Sequence, residues 1–173
     1  MLNSIPTLKK TSIFIVDDHP LVRDWLSRLI QEEADLQVSG WADNAEEAIR
    51  AIEQHSPEII IVDIGLRGKS GLELIRFLTD QNPETKILVL SMHDEAVYAG
   101  RSFKAGARGY VSKREATESV VIAVRRILAG GVYVSPAFAE NFALGLTRNK
   151  QPSLANDVGL LAEEYDTGAR RLV

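Results

Sequence analysis

The chain has 173 residues, 45% of them hydrophobic and 25% charged, with a formal net charge of −4. This is long enough for one domain with a full core plus an appendage and short for two full domains. The acidic balance excludes a general electrostatic attraction for nucleic acid. The lack of cysteine excludes disulfides, thiolate metal centres and cysteine nucleophiles and suits a reducing cytoplasm, and no apolar run reaches signal-core or membrane-span length.

Residues 1–11 read as a polar leader. Ser12-Ile13-Phe14-Ile15-Val16 is an unbroken apolar run of strand length that ends on two acids, Asp17-Asp18. Pro20 suits a first helical turn, and Leu21, Val22, Trp25, Leu26, Leu29 and Ile30 recur at helical spacing behind it. Leu36 to Trp41 alternates as an edge strand does. Asp43 can cap a helix whose inner face is Ala45, Ala48, Ile49 and Ile52, ended by Pro57.

Ile59-Ile60-Ile61-Val62 is the most strongly apolar stretch, and it ends on Asp63. Such a run reads as a strand buried on both faces of a parallel sheet. A glycine-bearing loop, Gly65 to Gly71, leads to a helix with Leu72, Leu74, Ile75 and Leu78 inward that stops before Pro83. Lys86 to Ser91 is another apolar strand, Ala96 to Ala105 a helix ended by Gly106, and Gly109 to Lys113 a short last strand. Thr117 to Ala129 forms the last strong helix, stopped by Gly130-Gly131.

Strands alternating with helices in this way predict an α/β fold, a doubly wound five-stranded parallel sheet with right-handed crossovers and helices on both faces. Beyond it, residues 132–158 read as a short helix, Ala137 to Leu146, and a linker. Residues 159–173 read as a tail in which Gly168 weakens any helix.

Four of the strands deliver a polar group to the same edge: Asp17 and Asp18, then Asp63, Ser91 and Lys113. In open α/β sheets this carboxyl edge is where ligands bind. Converging carboxylates repel one another unless a cation lies between them, so the cluster predicts a hard divalent ion. Oxygen donors with no His or Cys among them favour Mg2+ over zinc. The Lys113 ammonium and Ser91 hydroxyl suit a phosphoryl group, and a central carboxylate can act as nucleophile to form an acyl phosphate. Taken singly, each residue has a plainer reading: Asp17-Asp18 as a helix cap, Ser91 as a loop cap, Lys113 as a solvated charge, Tyr110 as an ordinary strand aromatic. Their joint arrival at one edge is what singles them out.

These residues resemble the receiver domain of two-component response regulators over about residues 11–131. The segments that carry the likeness are Ile15-Val16-Asp17-Asp18-His19-Pro20, Val62-Asp63, Ser70-Gly71-Leu72-Glu73-Leu74, Leu90-Ser91, Ala105-Gly106-Ala107 and Gly109-Tyr110-Val111-Ser112-Lys113. The Asp-Asp-His-Pro start and the Ala129 to Tyr133 ending are most similar to the NarL/FixJ branch, whose members usually carry a C-terminal helix-turn-helix. The resemblance implies a flavodoxin-like strand order 2-1-3-4-5 and a phosphoryl group accepted on Asp63 from a sensor histidine kinase. It implies Mg2+ held by Asp18 and Asp63 directly, by Asp17 through water and by the Gly65 backbone carbonyl. Lys113 and Ser91 would bind the phosphoryl group, and Ser91 with an inward-turning Tyr110 would form the switch. A cytoplasmic signalling switch that turns over no metabolite follows, with no membrane contact.

The departures are local. Leu66-Arg67-Gly68 stands where Met-Pro-Gly is common, and Arg114 replaces the usual proline, so no cis peptide is expected there. Gly65 leaves no side chain beside the acyl phosphate, which predicts easy water entry and a short-lived phosphorylated state. His93 is either a contact to that water or a solvent-facing loop residue. The segment after residue 157 is too short for a helix-turn-helix. Either the sequence stops inside such an effector or it carries a degenerate tail, and specific DNA binding is not expected of it. A dimer could use the Ala96 to Tyr110 face or the first and last helices.

Two other readings compete. A magnesium-dependent phosphohydrolase with an aspartate nucleophile usually wants a second acid two residues on, where Gly65 stands. A phosphate-independent interaction module of the same fold typically lacks one or more of the site residues, and here all are present. Flavin binding lacks its phosphate-cradling loop after the first strand.

Overall fold

The computed structural model describes residues 9–148 apart from Lys69, and divides after Ser135 into two units. The tail over 159–173, the end of the linker and most of the leader lie outside the described residues.

In the first unit, strands β1 (Thr11–Val16), β2 (Leu36–Ala42), β3 (Ile59–Val62), β4 (Ile87–Ser91) and β5 (Gly109–Ser112) alternate with helices α1 (Pro20–Gln31), α2 (Ala45–His55), α3 (Gly71–Gln81), α4 (Glu95–Ala105) and α5 (Ala116–Leu128). All strand pairings are parallel and the order is β2-β1-β3-β4-β5, the doubly wound order that the resemblance implied. β1 and β3 lie in register, Val16 beside Val62, so Asp17 and Asp63 leave the sheet side by side.

The centre of the sheet is buried on both faces because β3 and β4 are buried throughout and β1 over Ile13 to Val16. Ile13, Ile15, Ile59, Ile61, Leu88, Leu90 and Val111 pack with Leu26 and Ile30 of α1 and Val120, Val124 and Ile127 of α5. The alternate positions, including Phe14, Ile60, Val89 and Tyr110, are equally buried and face the opposite layer, as strand pleating requires. At about 1.5–3 kcal/mol per fully buried large apolar side chain, these two faces dominate the stabilisation.

Local chemistry sets the helix ends. Ser70 and Glu73 form a reciprocal capping box at the start of α3. α4 begins at Glu95 because Asp94 caps it by accepting from the Ala96 N–H, and it ends on Gly106 at φ 113°. Asp43 does not cap α2. Asn44, one residue closer to the first turn, accepts the Glu47 N–H at 2.9 Å, and Asp43 instead accepts from the Asn44 amide. No described peptide bond is cis, Lys113–Arg114 included.

Two features lie beyond simple periodicity. β2 carries a bulge: Ile13 pairs with Val38 but Phe14 pairs with Gly40, leaving Ser39 as the extra residue. After α5, Tyr133 bridges to Gly109, and its carbonyl accepts the Tyr110 N–H at 2.9 Å, adding to the β5 edge. The first unit thus extends a few residues past the Gly130-Gly131 stop, to Ser135.

The second unit contains α6 (Pro136–Arg148), slightly longer than the helix read from sequence. Within it the Phe138 and Phe142 rings stack one turn apart, 6.1 Å between centroids.

Candidate functional site

Each strand of the central sheet ends where its apolar run meets a polar residue, and the parallel order gathers those ends. Asp63 lies one residue past β3, its N–H donating to the Val16 carbonyl at 2.8 Å. The residue is 4% exposed. Oδ1 accepts the Gly65 N–H at 3.0 Å and Oδ2 accepts from Lys113 Nζ at 2.6 Å. Lys113 sits past β5, its backbone N–H tied to the Ser91 carbonyl at 2.8 Å. Its ammonium also lies 2.7 Å from Asp17 Oδ2, so one cation bridges two nearly buried carboxylates. Burial pulls the Lys113 pKa down, but Asp17 and Asp63 outweigh it and hold the ammonium above its usual range.

Asp17 is clamped through its backbone and its carboxylate. Its N–H donates to the Ala42 carbonyl, and Oδ1 accepts the His19 N–H at 2.8 Å. Asp18, beside it, meets His19 Nδ1 at 2.8 Å through Oδ1 and Arg67 Nε at 3.1 Å through Oδ2.

Ligand atoms of Asp17, Asp18, His19 and Asp63 lie within 4.8 Å of one another. His19 corrects the sequence reading, which had no histidine in the cluster. The turn out of β1 folds back, so a residue two positions past Asp17 returns over its carboxylate. Arg67 was also missed, although the loop that carries it follows directly from Asp63. The donor set fits a hard divalent cation. Among the described residues three carboxylates dominate it, Lys113 is the one buried cation nearby, and the single nitrogen donor sits on the exposed His19.

Ser91 and Tyr110 form a second layer. Ser91 is fully buried and its Oγ accepts the His93 N–H at 3.1 Å. Tyr110 is also fully buried, and its hydroxyl donates to the His93 carbonyl at 2.9 Å. Burial pushes its phenol up to about 12, against an opposing contact with the Ser91 hydroxyl. His93 itself is exposed and stacks on Tyr98, 4.7 Å between centroids. A side chain at position 65 would stand 3.8 Å from His93 Nε2 and 3.7 Å from both Asp63 oxygens, so this flank of the carboxylate is open.

Parallel doubly wound topology with this acid, lysine and hydroxyl edge defines the signalling receivers. The chain belongs to the response regulator receiver domain family, whose model matches residues 13–125.

Its relatives agree. The transcriptional regulatory protein DegU of Brevibacillus brevis is 31% identical over 158 residues, covering 90% of this chain and 67% of DegU. The response regulator GacA of Pseudomonas aeruginosa is 35% identical, over 76% of this chain and 62% of GacA. The chain thus spans about two thirds of the length of these curated relatives. Among solved structures, a LuxR-family two-component response regulator from Aurantimonas superposes with a TM-score of 0.75 at 34% identity, covering 80% of this chain and 99% of that one. The signal receiver domain of the putative response regulator NarL from Mycobacterium tuberculosis gives 0.66 at 27% identity, over 70% of this chain and 98% of that one. These relatives are consistent with the NarL/FixJ branch. No helix among the described residues is long and apolar enough to cross a membrane.

Proposed function

We propose that this chain is a phosphorylation-controlled receiver, acting in the cytoplasm as the input half of a transcription regulator and turning over no metabolite. The observation that supports it is Asp63: a carboxylate residue 4% exposed at a strand end, one oxygen on Lys113 and the other on the Gly65 N–H, with a flank open at Gly65.

In this reading an Asp63 carboxylate oxygen attacks the phosphorus of a sensor kinase's phosphohistidine. The new O–P bond forms as the N–P bond breaks and the imidazole leaves. Lys113 then moves its ion pair from the Asp63 carboxylate to the phosphoryl oxygens, and Ser91 turns its hydroxyl from the His93 N–H toward them. Losing that contact, together with the Tyr110 bond to the His93 carbonyl, couples the new charge to the loop before α4. Asp17, Asp18, Asp63 and the Gly65 carbonyl would hold Mg2+, which when bound neutralises charge on the transferring group. Homodimerisation on phosphorylation, and DNA contact only through an effector domain, complete the proposal.

The test is intact mass after incubation with Mg2+ and acetyl phosphate, for this chain and Asp63→Asn. One phosphoryl adduct that requires Mg2+ and Asp63 is expected. No adduct on the folded wild-type chain would leave a phosphate-independent docking module.

A further inference from the structure

Both backbone polar groups of Asp17 are held from outside its own strand. Its N–H donates to the carbonyl of Ala42 at the end of β2 at 3.1 Å. Its carbonyl accepts from the Arg23 guanidinium of α1 at 2.6 Å, a charge-assisted bond to a group the sheet leaves unpaired. That guanidinium lies over the indole of Trp41, 4.3 Å from the ring centroid.

The β2 bulge makes this stack possible. Without Ser39 as an extra residue, Val38 and Trp41 would fall on opposite faces. With it, Val38 pairs with Ile13 and Trp41 with Ile15, so both side chains fall on one face, where Val38 packs on the core beneath α1 and Trp41 meets Arg23 of α1. Trp41 is 51% exposed, so core packing does not explain a large aromatic there.

We infer that Arg23 and Trp41 are positioning residues for the divalent-cation site: the indole holds the guanidinium flat, the guanidinium holds the Asp17 carbonyl, and the acid pair is thereby presented in one geometry. The inference rests on the proposed function. The Asp17 and Asp18 carboxylates are bonded to Lys113, His19 and Arg67 in this structure, so a cation must take them from those partners. A backbone fixed at both ends keeps that exchange a side-chain rearrangement, with no loop reordering to oppose binding. Arginine suits the role because its planar fork stacks and donates together, which a lysine ammonium does not.

The experiment is calorimetric titration of the full chain with magnesium chloride, for wild type, Trp41→Ala, Trp41→Phe, Arg23→Lys and, as a non-binding control, Asp18→Asn. None of the Trp41 or Arg23 variants changes the net charge, so long-range Coulomb effects on the cation stay fixed. Trp41→Ala and Arg23→Lys are expected to weaken Mg2+ binding by about three- to tenfold, while Trp41→Phe, which retains a π face, stays within about twofold of wild type. The rate of phosphorylation by acetyl phosphate at saturating Mg2+ should be unchanged, so that only the Mg2+ concentration for half-maximal rate moves. In a Trp25→Phe background, Trp41 emission should change on adding Mg2+, and Asp18→Asn should abolish that change. Wild-type affinity in both Trp41→Ala and Arg23→Lys, with at most a lowered unfolding temperature, would overturn the inference and leave the proposed function standing. A wild-type chain that neither binds Mg2+ nor takes a phosphoryl group would overturn both.

Discussion

The Tyr110 hydroxyl donates to the backbone carbonyl of His93 at 2.9 Å, joining the middle of β5 to the loop that leaves β4. His93 also donates its N–H to Ser91 Oγ, so one loop residue is held by both members of the proposed switch. Replacing Tyr110 with Phe keeps the buried ring and removes the bond. We expect a loss of about 0.5–1.5 kcal/mol in denaturant unfolding, the net worth of one hydrogen bond, and faster amide exchange at His93 and Asp94. An unchanged exchange rate there would mean the loop is held by other contacts.

Tyr110 also sets an alkaline limit. Its phenol titrates near 12 in the folded chain against 10.0 when unperturbed, so the unfolded state loses this proton first. The associated stability is complete below pH 10 and falls away as pH rises through about 12. Lys113, likewise held above its usual range, acts in the same direction. A spectrophotometric titration at 295 nm should show one of the four tyrosines ionising late, and Tyr110→Phe should remove that late step. Melting curves above pH 10 should drop less steeply in the variant.

Lys113 bridges Asp17 and Asp63, and its side chain is only 8% exposed. Lys113→Met would leave two nearly buried carboxylates facing each other. The expected cost at neutral pH is about 3 kcal/mol, the low end for unpairing a buried charge. Added Mg2+ should raise the melting temperature of the variant more than that of wild type, because a cation then relieves the repulsion. Equal Mg2+ shifts in the two proteins would argue against a cation site at this acid pair.

Gly71 opens α3 directly against the backbone of Asp63 and Ile64, just past β3. A Cβ there would stand 2.1 Å from the Asp63 carbonyl oxygen and 2.8 Å from Ile64 Cα, both backbone atoms that cannot swing away. Gly71→Ala should destabilise by about 1–3 kcal/mol, as overpacking of a tight contact does, and slow acetyl phosphate labelling by displacing Asp63. Labelling at the wild-type rate in a destabilised variant would show that Asp63 tolerates the shift.

Position 65 has the opposite character, with ordinary contact distance to Asp63 and His93. Gly65→Asn is therefore expected to fold normally and to slow hydrolysis of the phosphorylated form several-fold by occupying the open flank. The check is decay of the phosphoprotein after removal of the phosphodonor. An unaltered half-life would refute the idea that an open flank shortens it.

The amino-acid sequence by itself determined the layers and the acid at the end of the central strand. Ile59 to Val62 admits no solvent-facing register, so a strand buried on both faces and an acid at its end follow from composition alone. The same holds for Val16 before Asp17-Asp18 and for the helices whose apolar residues recur at helical spacing. The order of strands came from family likeness, because periodicity says which residues are buried and not which strands are neighbours. Only the tertiary structure decided the partners. His19 and Arg67 join the acids through chain reversals that no spacing rule encodes. Arg125 holds Glu33 and Asp35, some ninety residues away, only once α5 has packed beside α1. Trp41 meets Arg23 because a bulge flips the end of β2, and a bulge arises from how two strands pair, a relation between segments that neither one carries alone.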